Sequence, residues 1–99
     1  MSPSMLAAAA AVADRDVSPL TVSFSVQARP DPGVLPRVVE LFAKRGLVPQ
    51  KLHSTALGAA LAIDVQVEGI GRELADYIAR CMRQIAGVET VLSSETRSV

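Results

Sequence analysis

Residues 29–46, RPDPGVLPRVVELFAKRG, narrow the folding choices of this chain more than any other segment. Pro30, Pro32 and Gly33 break regular structure and set a tight turn. Directly after it, Leu35, Val38, Val39 and Phe42 recur at helical spacing, with Arg37, Glu40 and Lys44 off the apolar stripe. Gly33 is the expected N-cap. Pro36 then falls in the first turn, where its missing N–H would have no partner anyway. Glu40 and Lys44 form a favourable i,i+4 pair. Lys44 and Arg45 suit the negative end of the helix, and Gly46 stops it. The segment is thus a strand end, a turn, an amphipathic helix over residues 34–45 and a glycine stop.

The turn also suggests a site. A helix start carries backbone N–H groups with no intrahelical partner, which suits a small carboxylate ligand better than covalent chemistry. The amides of Val34 and Leu35 are expected to hold such a carboxylate, with Asp31 meeting an ammonium group. A plain strand-to-helix turn explains the same Asp31-Pro32-Gly33 without any ligand.

The flanking sequence supplies the rest of the fold. In residues 20–28, Leu20, Val22, Phe24, Val26 and Ala28 share one face, and Thr21, Ser23, Ser25 and Gln27 the other. This alternation marks a half-buried strand. Residues 47–56 predict a weaker strand containing Pro49, which belongs at a sheet edge because proline cannot donate to a ladder. Leu57 and Gly58 turn the chain. Residues 59–68 alternate again, with Leu61, Ile63, Val65 and Val67 inward. Residues 72–86 return to helical spacing through Leu74, Ile78, Cys81, Met82 and Ile85, with Gly87 as the stop. Residues 88–94 predict a short last strand and residues 95–99 a tail. The order βαββαβ, with right-handed crossovers, implies an α+β, ferredoxin-like domain. Its four-stranded antiparallel sheet carries both helices on one face, with the first and third strands central. The domain is expected over residues 18–95, between an Ala-rich disordered tail at 1–17 and a C-terminal tail at 96–99.

Composition narrows the function classes. A chain of 99 residues is one domain. At this size it buries roughly 60–70% of its unfolded surface, enough for one modest core. Apolar residues make up 49%, which argues for a packed globule. The rings are only Phe24, Phe42 and Tyr77, too few to stack bases. Ten basic and ten acidic residues cancel, so no basic field points to nucleic acid or anionic lipid. The single Cys81 can form neither an internal disulfide nor a metal clip, which suits a reducing, cytoplasmic compartment. The longest apolar run, residues 5–13, is too short to span a bilayer, and no basic residue precedes it as in a secretory leader.

The segments PDPGVLPRVVELFAKRG and ARCMRQIAGVETV resemble those of ACT domains, and among these the short, single-domain small subunits of acetolactate synthase. The similarity runs over roughly residues 20–94. It implies a regulatory subunit without catalysis of its own. Such a subunit is a homodimer joined through edge strands, and it activates or feedback-regulates the large catalytic subunit of a thiamine-dependent synthase. That partner carries the thiamine diphosphate, flavin and magnesium. This chain would hold no cofactor, and its effector would be a branched-chain amino acid bound near the turn at the dimer seam. The family's loop glycine falls on Gly33, and the implied ligand set is Asp31, Pro32, Gly33, Val34, Leu35 and Val48. Two asparagines typical of valine-binding subunits are replaced here by Pro30 and Val48. Backbone recognition around Gly33 is what remains, as suits a subunit that activates its partner without strong effector sensitivity. A stand-alone ACT-type amino-acid sensor is the alternative.

Other chemistry-bearing residues have simpler explanations. His53 is expected on the exposed edge strand. Ser54 and Thr55 beside it alternate between faces and make no triad. Cys81 falls in the apolar stripe of the second helix, where a buried thiol is inert. Gly69-Ile70-Gly71 lacks the third glycine of a phosphate loop. Arg72, Arg80 and Arg83 read as a solvated helix face, with docking to an acidic patch on a partner as the alternative.

Overall fold

In the computed structural model, which describes residues 20–97, six elements follow one another. They are β1 (Leu20–Ala28), α1 (Val34–Ala43), β2 (Lys51–Leu57), β3 (Ala60–Glu68), α2 (Arg72–Arg83) and β4 (Val88–Arg97). The expected tail at 1–17 lies outside the described residues. The four strands form one antiparallel sheet in the order β2-β3-β1-β4, so the expected ferredoxin-like α+β fold and its two central strands are present.

The core lies between one sheet face and both helices. Val22, Phe24 and Val26 of β1 and Ile63, Val65 and Val67 of β3 are buried on that face. α1 contributes Val34, Val38 and Phe42, and α2 contributes Ala75, Ile78, Ala79 and Met82. The Phe24 and Phe42 rings meet edge to face, with centroids 5.7 Å apart and planes at 65°. The α1 stripe is rotated from the one expected. Its centre is the i, i+4, i+8 row Val34–Val38–Phe42, Leu35 is half-buried, and Val39 is exposed. Cys81 is half-buried at the flank of α2, because the small Ala75 and Ala79 take the centre of that helix's contact.

Six element bounds differ from the pattern read in the sequence, each for a local reason. α1 ends at Ala43, where the Arg45 and Gly46 N–H groups donate three residues back to Phe42 and Ala43. β3 starts at Ala60, after the Gly58-Ala59 turn. Pro49 precedes β2, whose ladder opens with the Gln50 N–H donating to the Gln66 carbonyl (2.8 Å). Leu57 pairs with Ala60 across the Gly58-Ala59 turn, so it closes β2 and belongs to the ladder. α2 ends at Arg83 because Gln84 and Ile85 donate to Cys81 and Met82, three residues back, and so tighten the last turn. β4 continues past Ser94 to Arg97 because Thr21 and Leu20 of β1 still supply partners for Thr96 and Arg97. Gly87, at φ +98, links that tightened turn to β4, and a Cβ there would meet Val34 Cγ2 at 3.1 Å.

The two free margins of the sheet are unequal. The Leu20 carbonyl accepts from the Gly69 N–H (2.8 Å) on the β3 side, while the Arg29 N–H donates to Gly87 on the β4 side (2.9 Å). Even-numbered residues of β1 therefore turn their peptide groups to β3 and odd-numbered ones to β4. Carried through the register, the peptide groups of Leu52, Ser54 and Ala56 point off the β2 margin. Those of Val91, Ser93 and Glu95 point off the β4 margin. Arg83 reaches from α2 and donates Nη2 to the Val91 carbonyl (3.0 Å), occupying an open acceptor of β4. Beside it, Arg72 and Glu95 form a two-pronged ion pair at 2.8–3.1 Å. Among the described residues no side chain satisfies the peptide groups of Leu52, Ser54 or Ala56.

Because Phe42 joins α1 to the central strand, Phe42→Ala is expected to cost about 3–5 kcal/mol. A domain of this size has a total stability of roughly 5–12 kcal/mol. Urea denaturation followed by circular dichroism should show the midpoint collapsing. Gly87→Ala combines a left-handed residue with an overpacked contact and is expected to cost about 1–3 kcal/mol in the same measurement.

Candidate functional site

A shallow hollow of about 260 Å³ opens where the β1–α1 loop meets the margin of β2. Pro30, Asp31, Pro32 and Leu35 line it from the loop and helix side, and Ser54, Ala56 and Leu61 from the strand side. Its volume sits just below the usual range of small-molecule sites, roughly 300–1,000 Å³. The strand-side wall includes Ser54 and Ala56, whose peptide groups point off the open margin. The loop side carries the carboxylate of Asp31.

Of the residues expected to bind a ligand, Asp31, Pro32 and Leu35 are brought together here. Gly33 sits at the N-cap, in the loop that frames the hollow. Val34 is fully buried in the core and does not line the hollow. Val48 lies between α1 and β2 at 77% exposure and is not part of the lining either. Ser54, Ala56, Leu61 and Pro30 were not among the expected residues. No apolar alternation in residues 51–57 signals Ser54 or Ala56; the register, which pairs Ser54 with Ile63 and Ala56 with Leu61, sets them on the helix side of the sheet.

The loop satisfies part of its own hydrogen bonding. The Gly33 N–H donates to Asp31 Oδ1 (2.9 Å), and the Val34 N–H donates to the Asp31 carbonyl (3.0 Å). The Val34 amide, expected to be free, therefore has an acceptor, and the Asp31 side chain acts as an Asx turn. Arg37 donates Nη1 to the Gly33 carbonyl (3.0 Å) and covers the glycine from the next turn of the helix. A Cβ on Gly33 would collide with that guanidinium, a flexible group that can swing away. The Gly33 and Val34 amides are thus taken within the loop, while among the described residues the Leu35 N–H, also expected to be free, has no acceptor.

The opposite face of the sheet carries a broader trough of about 670 Å³. Lys51, His53, Asp64, Ser25 and Leu92 project into it, with His53 directly across from Asp64 in the β2–β3 register. His53 and Ser54 open into different hollows on opposite sides of the sheet, so the structure does not bring them together. Among the described residues no three His, Cys, Asp or Glu side chains are placed to hold a metal ion, and no helix is long and apolar enough to cross a membrane.

The sequence profile of the ACT-like domain family matches residues 15–98. No curated protein gives a match. Among solved structures, the ACT domain of GTP pyrophosphokinase from Chlorobium tepidum aligns with a TM-score of 0.69 at 10% identity. The alignment covers 78% of this chain and 100% of that one. The C-terminal domain of the MgtC protein from Mycobacterium tuberculosis aligns with a TM-score of 0.66 at 13% identity, over 82% and 92% of the two chains. The de novo designed protein Foldit4 reaches 0.62 at 13% identity, over 82% and 99%. At such identities the likeness is one of fold alone.

Since Asp31 holds the loop's own amide, Asp31→Ala should lower stability by about 0.5–1 kcal/mol, while Asp31→Asn, which keeps an acceptor oxygen, should lose less. Urea unfolding of the two variants beside the wild type measures the difference.

Proposed function

The chain belongs to the ACT-like domain family, and from that premise we propose that it is a cytoplasmic regulatory subunit that binds and controls a larger enzyme. In its most concrete form it is the small subunit of acetolactate synthase. The resemblance of residues 29–46 and 79–91 to such subunits supports that form. The observation that carries the regulatory reading is the position of the hollow on the open margin of β2. A second copy paired along β2 would join two sheets into one of eight strands, satisfy the peptide groups of Leu52, Ser54 and Ala56, and close the hollow at the seam. The β4 margin is the poorer partner because Arg83 occupies it. Exposed Leu52 of β2 adds apolar surface to the same side.

In this reading the effector is a small amino acid lying between the loop of one copy and the seam. Replacement of both family asparagines, at Pro30 and Val48, and the engagement of the Gly33 amide by Asp31 favour an activator over a strongly feedback-sensitive subunit. A change in the partner's activity then arises from differential binding to two states of that partner, with no reactive group needed here.

Ser54→Pro tests the seam. The Ser54 N–H points off the margin, so proline leaves the β2–β3 ladder intact while removing a donor to a second strand. Light scattering should show a dimer for the wild type and a monomer for the variant, with unchanged circular dichroism. A wild-type monomer at micromolar concentration would end the pairing. Calorimetric titration with valine, leucine and isoleucine, and addition of the chain to an acetolactate synthase catalytic subunit, separate the two forms of the proposal. Activation with little amino-acid heat marks the activator. Amino-acid heat without activation marks a stand-alone sensor.

A further inference from the structure

Tyr77 is the only tyrosine of the chain, which has no tryptophan, and it is 43% exposed on α2. Two guanidinium groups rest against its ring. Arg45, in the turn after α1, places Cζ 4.8 Å from the ring centroid, and Arg80, three residues further along α2, places it at 5.7 Å. Both distances fall within the range of cation–π attraction. Arg45 also donates Nη1 to the Leu41 carbonyl (3.1 Å), which ties it to the end of α1. The other arginines of the helix layer have partners in the domain: Arg72 has Glu95, Arg83 has the Val91 carbonyl and Arg37 the Gly33 carbonyl. Among the described residues neither Arg45 nor Arg80 has a carboxylate within ion-pair distance.

Two like charges are thus gathered around one ring without a neutralising anion. Each guanidinium keeps N–H groups in the fork geometry that matches a carboxylate. Exposed Tyr flanked by Arg is also the composition that dominates binding energy where proteins meet. We propose that Arg45, Tyr77 and Arg80 form a docking site for an acidic, carboxylate-bearing segment of a partner protein. The inference rests on the reading of the chain as a subunit that binds a larger enzyme, and it assigns the contact to the junction of the two helices, apart from the residues that line the effector hollow.

The site carries its own reporter, because tyrosine emission from this chain comes from Tyr77 alone. The full chain is titrated with hexaglutamate, and with hexaglutamine as the neutral control, at low ionic strength. Hexaglutamate should give a saturable change in emission that weakens as salt is added, and hexaglutamine none. Arg45→Gln and Arg80→Gln should each weaken the apparent affinity roughly three- to tenfold, and the double variant should lose the response. Circular dichroism checks that the variants are folded, and Arg80→Glu, which alters one exposed side chain, serves as a second variant. No response to hexaglutamate, an equal response to hexaglutamine, or a double variant that titrates like the wild type would overturn the proposal. The titration contains neither amino-acid effector nor synthase. A failure of the amino-acid or activation experiments therefore leaves its outcome readable.

Discussion

The packing of α1 onto the central strands is the contact on which the other features depend. Val34, Val38 and Phe42 are fully buried against the sheet, and Phe42 meets Phe24 of β1 edge to face. This contact fixes the height and direction at which the chain leaves β1 and enters the helix. The loop through Asp31 and Gly33 then has one available path, and the hollow beside β2 follows from it. At the other end of α1, the same docking delivers Arg45 to the side of α2 that displays Tyr77.

The loop and the sheet margin divide the polar work of the site differently from a simple helix-start anion hole. Asp31 occupies the Gly33 amide, and its main-chain carbonyl takes the Val34 amide. Among the described residues, the outward peptide groups of β2, at Leu52, Ser54 and Ala56, have no side-chain partner, whereas on β4 Arg83 takes the Val91 carbonyl. A margin of this kind offers open donors and acceptors to a further strand, and it contrasts with that of β4, where Arg83 already takes one acceptor.

Much of the fold was legible because two periods dominate the chain. Alternation in residues 20–28 and 59–68 identified the inward residues of both central strands, and each of those residues is buried. The helix stripes were legible to within a partial rotation, since Leu35 and Val39 were assigned inward where Val34 holds the centre. β2 was the least regular in sequence because neither of its faces is covered, so burial imposed no pattern on it. Of the candidate site, Asp31, Pro32 and Leu35 were found through turn chemistry and helix spacing, whereas Ser54, Ala56 and Leu61 come from elsewhere in the chain and meet the loop only in space. Val48 follows α1 closely in sequence, yet it points to solvent.

Local chemistry in the sequence thus determined the order of elements, the central strands, the turn at Gly33 and the stop at Gly46. Each of these depends on neighbours a few residues away. Tertiary structure alone decided which amides the loop would satisfy for itself, which sheet margin Arg83 would cover, and that two arginines from different helix segments would share one tyrosine ring. Those outcomes depend on distances between groups far apart in the chain, and such distances exist only after the core has set the spacing between helices and sheet.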